Sequence, residues 1–207
     1  MGAYATALPG GLPVQATHAR RLGDLWGFDV PARAGLTTVE TLDAALAGEL
    51  DALYCIGGNF LETLPDPARV EAALARIPLR VHSDIVVTSQ MLVEPADTVY
   101  LLPARTRYEQ RDGGTETSTE RRVIFSPYIP GHDVGEATSE WELLARFGRA
   151  VKPEGFDALQ LHSGEAIRRD IARAVPDYAP IAGLARQGDQ FQWGGPMLCA
   201  GRRFPTS

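Results

Sequence analysis

The sequence predicts an α/β fold: a three-layer αβα Rossmann-like domain built on a mainly parallel sheet. Short strand-like runs at residues 51–56, 79–82 and 98–102 alternate with stretches of helical period, and strands separated in this way pair in parallel with right-handed crossovers. Each run ends in a polar or turn-forming group, Gly57-Gly58-Asn59, Ser83-Asp84 and Pro103-Ala104. Polar groups at the C-terminal ends of parallel strands are where open α/β sheets take up nucleotides. Finally, 207 residues with 44% hydrophobic content suffice for one sizeable core.

Residues 1–13 are small, glycine-containing and without period, an irregular segment before the domain. Leu22, Leu25 and Trp26 fall at helical spacing and Gly27 stops the run. Thr37 with Glu40 forms a capping box for a helix carrying Leu42, Ala45 and Leu46, closed near Gly48. The run 51–56 is nearly all apolar, as in a strand buried on both faces. Pro67 opens the next helix at a position where its missing N–H costs nothing, and Val70, Ala73, Leu74 and Ile77 give that helix its apolar stripe. Residues 79–82 and 98–102 are strands flanking one or two helical turns at 88–93. The polar stretch 107–119 reads as a loop, 122–126 as extended chain and 127–136 as a connector. Ser139 with Glu142 caps a helix through Trp141, Leu144, Ala145 and Phe147, and Ser163 caps another through Ile167, Ile171 and Ala174. Beyond Pro176 the period is lost, so the domain is expected to occupy 14–176, with 177–207 as a linker or tail.

Charge and cysteine usage narrow the function. A net charge of −6, with the pairs Arg20-Arg21, Arg121-Arg122, Arg168-Arg169 and Arg202-Arg203 far apart, argues against a nucleic-acid surface. No apolar run approaches the roughly 18 residues of a membrane span, and the N-terminus lacks the charged start and apolar core of a signal peptide. Only Cys55 and Cys199 occur, with no Cys-x-x-Cys and no His/Cys cluster, so neither a zinc site nor an iron–sulfur cluster can be assembled. This usage fits a reducing cytosol, and a cytoplasmic location is expected.

The candidate binding residues are the strand ends. Gly57 and Gly58 let a phosphate or ribose approach the backbone, and the Asn59 amide can donate and accept; a plain strand-to-helix turn is the competing reading. The pattern is not Gly-x-Gly-x-x-Gly, which disfavours a standard NAD site. The Asp84 carboxylate beside Ser83 can accept two hydrogen bonds from a guanine edge or from ribose hydroxyls, or can cap the next segment. His82 alternates into the packing. Gln110 and the loop Asp112-Gly113-Gly114 can wrap a cofactor edge or form a surface turn, and one arginine of Glu120-Arg121-Arg122 can address a phosphate. Glu140 suits either the helix dipole or an amine donor. No catalytic triad and no Gly-x-Ser-x-Gly elbow is present.

Taken in order, residues 54–66, Ser83-Asp84-Ile85, Asp97 to Pro103, Gly113-Gly114-Thr115, Thr119-Glu120-Arg121-Arg122 and Ser139-Glu140-Trp141 resemble the molybdopterin oxidoreductases, formate-dehydrogenase-like alpha subunits in particular. The resemblance covers roughly residues 53–147, and more loosely the remainder. It implies a molybdenum or tungsten ion held by two molybdopterin guanine dinucleotides. By motif, the cofactor contacts carried over are Gly57, Gly58, Asn59, Thr63, Ser83, Asp84, Gln110 and Glu140. Gly58 stands where many relatives have glutamate, and Glu140 where aspartate is usual. The family's metal-ligating side chain and cluster cysteines have no counterpart, so no catalytic or metal residue is expected here. Any iron–sulfur cluster is expected only outside this chain. The chain thereby resembles an internal cofactor-binding domain, inactive alone, whose partners are the remaining domains of the same oxidoreductase. Two rivals stay open: a stand-alone nucleotide-binding or regulatory module, and a small hydrolase or transferase using His82 and Asp84 as an acid–base pair.

Overall fold

The computed structural model describes residues 7–132 and 134–194; Asp133, Cys199 and the pair Arg202-Arg203 lie outside them. Strands β1 (Ala7–Leu8) and β2 (Leu12–Pro13) form a small antiparallel ladder within the segment expected to be irregular. Helix α1 (Ala16–Trp26) follows and ends at Gly27 in the left-handed conformation, φ 78°, which glycine adopts without a Cβ penalty. Helix α2 (Thr38–Ala47) carries the expected capping box between Thr37 and Glu40 and stops at Gly48.

A parallel sheet is then laid down by β3 (Ala52–Ile56), β4 (Leu79–Asp84) and β5 (Thr98–Pro103), in the order β3-β4-β5. Between β3 and β4 lie the short helix α3 (Phe60–Thr63) and α4 (Pro67–Arg76). Asp66 caps α4 by accepting the Arg69 N–H, and Pro67 occupies its first turn. A 3₁₀ turn at Ser89–Leu92 spans β4 and β5. Leu42 and Ala45 of α2 meet Val70, Ala73 and Leu74 of α4, together with Ile77 and Val93, and Leu53 of β3 packs against this cluster. The other face of the sheet is open: Ile56 is 42% exposed and Tyr100 57%. The strand expected to be buried on both faces is therefore covered on one, because the helices of this segment pack on a single side.

Residues 114–117, within the stretch expected to be a loop, join a further sheet that is antiparallel. Strands β6 (Gly114–Thr117), β7 (Arg122–Ser126) and β8 (Gln190–Gln192) are ordered β6-β7-β8. Helices α5 (Glu140–Val151), α6 (Pro153–Ala158) and α7 (Gly164–Ala174) lie between β7 and β8, followed by a 3₁₀ segment at Pro176–Gly183. Its core is Val123, Phe125, Ile181 and Leu184, with Tyr178, Phe191 and Trp193 packed on it. The stretch beyond Pro176, without period in the sequence, is thus folded as far as Trp193, since its aromatic residues are held by β7 and not by a helix of their own. Among the described residues the result is a mixed α/β arrangement with one parallel sheet and two antiparallel ones. Among the described residues no helix is long and apolar enough to cross a membrane.

Ser163 accepts the Ala166 N–H at 3.0 Å, capping α7 as its position in the sequence predicts. Helix α1 docks on α7 through Trp26 Nε1, which donates to Asp170 Oδ2 at 3.1 Å, and Arg21, which donates to the Ala174 carbonyl at 3.0 Å. Ser163→Ala is expected to cost about 1 kcal/mol and lower the melting temperature by a few degrees; an unchanged melting curve would show that the cap contributes nothing.

Candidate functional site

The parallel register sets Ile56 beside Ser83 and Ser83 beside Leu102, so the three strands end level. The loops that leave them are thereby gathered along one edge. Gly57 and Gly58 both leave β3 at positive φ, 65° and 78°, and a Cβ on either would meet nothing within 4 Å. The backbone here is open on its outer side and available to a ligand. Gly57 N–H donates to the Ser83 carbonyl at 2.8 Å, tying the loop to β4. Asn59 Nδ2 donates to Ser89 Oγ at 2.9 Å, while Asn59 Oδ1 is buried and has no partner. Thr63 donates its hydroxyl to the Asn59 carbonyl at 2.7 Å. Gly57, Gly58, Asn59 and Thr63, with Thr38 and Tyr54, line a cavity of about 630 Å³, within the range of small-molecule sites.

The loop is held from beneath by residues that sequence reasoning missed. Gln90, 1% exposed, donates to the Gly58 carbonyl and accepts the Phe60 N–H, each at 2.8 Å. Arg80, 0% exposed, donates in turn to the Gln90 carbonyl at 3.1 Å and to the Val93 carbonyl. An arginine set between Leu79 and Val81 in a strand was the available signal for Arg80. Nothing local in Thr88-Ser89-Gln90 identifies Gln90, whose role depends on a partner 32 residues away.

At the end of β4, Ser83 is fully buried with its Oγ unpartnered. Asp84 accepts the Ile85 N–H at 2.7 Å. A bridge between Ala104 and Thr138 brings the chain before α5 alongside β5, and this sets Glu140 near Asp84. Burial, and then the Asp84 carboxylate, raise the Glu140 pKa above its ordinary value. His82 and Asp84 lie on the same side of β4 and line one small cavity with Met91, Leu101 and Pro103. Both His82 ring nitrogens lack a partner, so no hydrogen bond joins the pair as an acid–base dyad. Burial lowers the His82 pKa, Arg80 adding to the effect and Asp84 opposing it. Cys55, next to His82 across the sheet, is a free buried thiol that burial pushes up to about 11, protonated and unreactive at neutral pH.

Gln110 stands apart. It ends the 3₁₀ turn at Arg107–Glu109, and its Oε1 lies 3.6 Å from where a Gly114 Cβ would be, on the approach to the antiparallel sheet. Arg121, at φ 60°, stacks on Trp193, 5.7 Å from the ring centroid, and donates to the Trp193 carbonyl; the arginine pair serves that sheet. Among the described residues no group of three or more His, Cys, Asp or Glu is arranged to hold a metal ion.

No family model matches the chain. It is 34% identical over 157 residues to a nitrate reductase of Klebsiella oxytoca, covering 73% of this chain and 17% of that protein. It is 27% identical over 208 residues to the probable oxidoreductase YjgC of Bacillus subtilis, covering 99% of this chain and 20% of that protein. It is 24% identical over 176 residues to the NADPH-Fe(3+) oxidoreductase subunit alpha of Geobacter sulfurreducens, covering 84% and 19%. The chain therefore spans about a fifth of the length of these relatives. This chain is similar to segments of larger oxidoreductases, a set consistent with the molybdopterin oxidoreductase family whose ordered motifs it resembles.

Proposed function

We propose that this chain is a Rossmann-like cofactor-binding domain, centred on residues 14–176, of a cytoplasmic molybdenum or tungsten enzyme of the bis-molybdopterin guanine dinucleotide type, formate-dehydrogenase-like in its motifs. The observation that carries this reading is the set of orphaned polar atoms at the C-terminal edge of the parallel sheet: Asn59 Oδ1, Ser83 Oγ and both His82 nitrogens. Buried polar atoms are almost always satisfied, and these share the edge where α/β sheets bind nucleotides. The residues present fit such a group. The open backbone at Gly57 and Gly58 accommodates phosphate, Asn59, Thr63 and Ser83 offer hydroxyl and amide partners, and Asp84 and Glu140 accept from the amino and imino hydrogens of guanine. Gln110 is not needed for this contact set.

When bound, the cofactor supplies two-electron redox chemistry at its metal; the residues of this chain bind and orient it. Iron–sulfur clusters and the metal's protein ligand are assigned to other domains of the same polypeptide, and this segment alone is inactive. Two exposed apolar surfaces support such neighbours: the open sheet face with Ile56 and Tyr100, and the stripe Leu144, Phe147 and Val151 on α5. A neighbouring domain against the first would complete a third layer. In the full-length protein, Asn59→Ala combined with Asp84→Ala is expected to lower cofactor occupancy by about tenfold, since charge-assisted hydrogen bonds contribute about 1.5–3 kcal/mol. Released pterin fluorescence measures it, and wild-type loading by the double variant would overturn the reading.

A further inference from the structure

The His82 imidazole is 1% exposed, and neither ring nitrogen has a hydrogen-bond partner. Buried polar atoms are almost always satisfied in folded proteins, so an orphaned pair of ring nitrogens points to a partner from outside the chain. The side chain lines a cavity of about 170 Å³ walled by Ile85, Val87, Met91, Leu101 and Pro103, with Asp84 at its margin. Apolar walls with a few convergent polar groups mark a small-molecule subsite. The cavity suits a single flat heterocycle, whereas the cavity beside Gly57 and Asn59, at about 630 Å³, suits the bulkier sugar and phosphate portions.

The chemistry of the two polar groups defines the ring they recognise. Because burial depresses its pKa, the imidazole is neutral at pH 7 and presents one N–H donor and one bare nitrogen. Asp84 is acceptor-only when ionised. A donor beside an acceptor pair complements the guanine edge, whose O6 accepts while N1–H and the 2-amino group donate. Adenine turns a bare N1 acceptor toward the carboxylate and is repelled.

Resting on the cofactor-domain reading above, we propose that His82 is a base-selecting residue of the guanine subsite, its ring N–H donating to O6 while Asp84 accepts from N1–H and the amino group. The base thereby satisfies the imidazole N–H that the fold leaves orphaned, and His82 recognises the oxygen at C6 specifically.

Calorimetry on this chain with GMP, 6-thio-GMP and AMP tests the assignment, because sulfur at C6 keeps the shape and the N1–H but is a poor acceptor. Wild type is expected to prefer GMP over 6-thio-GMP by about tenfold, the worth of one good hydrogen bond. His82→Leu is expected to bind GMP about tenfold more weakly and to treat the two nucleotides alike, and His82→Asn, which retains an N–H donor, to recover part of the discrimination. A wild type that binds both equally overturns the proposal without reference to any variant. So does a His82→Leu chain that binds GMP within about twofold of wild type and still discriminates; loss of GMP binding in Asp84→Ala would then leave the cofactor-domain reading standing. Absence of GMP binding by the folded wild-type chain overturns both.

Discussion

Arg80→Ala is expected to lose about 3–5 kcal/mol of unfolding free energy and to loosen the Gly58 loop at the same time. The guanidinium is fully buried and faces no carboxylate in its hydrogen bonds; it donates to the carbonyls of Gln90 and Val93, and its Nε has no partner. Two effects oppose each other. Removing a buried charge relieves its desolvation, and burial does hold the Arg80 pKa below the usual arginine value. Truncation to alanine, however, strands two carbonyls and opens a void at the base of the site, each a loss of about 1–3 kcal/mol. The losses win because these two hydrogen bonds tie the 3₁₀ turn and Val93 to β4. Arg80→Met fills most of the volume without the charge and is expected to recover part of the loss. Denaturant unfolding separates the two variants. Hydrogen exchange at the Phe60 N–H, which donates to Gln90, reports the loop. Equal stability of Arg80→Ala and wild type would show that the Arg80–Gln90 support is dispensable.

Gly113→Ala is expected to cost about 3–5 kcal/mol, or to prevent folding of the antiparallel sheet, while Gly114→Ala costs less than about 1 kcal/mol. Gly113 has φ +68°, and its added Cβ would lie 2.7 Å from the Ser126 carbonyl oxygen and overlap the edge of the Phe125 ring at Cζ. Backbone strain and overlap therefore act together at one atom. The Phe125 ring cannot retreat easily: it is buried, and Arg168 lies over it, 4.9 Å from the ring centroid. Arg168 also donates to the Asp112 carbonyl at 3.1 Å, clamping the same turn to α7. At Gly114 the nearest atom to an added Cβ is 3.6 Å away. Melting curves of the two variants decide between these outcomes; two equally stable alanine variants would mean that the turn moves at little cost. The adjacent glycines that read as a possible cofactor wrap thus divide between a packing requirement and an open position.

Much of the fold was legible because its signals are local. Capping at Thr37 and Ser163, the first-turn Pro67 and the left-handed stops at Gly27 and Gly48 act within one helical turn, where solvent exposure and backbone hydrogen bonding follow from neighbours in the chain. The edge holding Gly57, Asn59, Ser83 and Asp84 was legible for a related reason: parallel strands of similar length with helical crossovers end on the same side. Strand β6 was not legible, because Gly114-Thr115-Glu116-Thr117 is polar on both faces and is a strand only by pairing with Thr117 against Val123 and Gly114 against Ser126. Strand β8 depends on β7, far earlier in the chain, where Phe191 pairs with Val123.

By itself the sequence determined the main helices and the three strands of the parallel sheet, and which polar groups stand at the ends of those strands. Tertiary structure alone decided which face of that sheet is covered, that Glu140 lies near Asp84 through the Ala104–Thr138 bridge, and that Arg80 and Gln90 support the Gly58 loop. The physical reason is the range of the interactions: periodicity and capping encode contacts a few residues apart, whereas burial of a charge, or an orphaned imidazole, exists only after distant elements have closed around it.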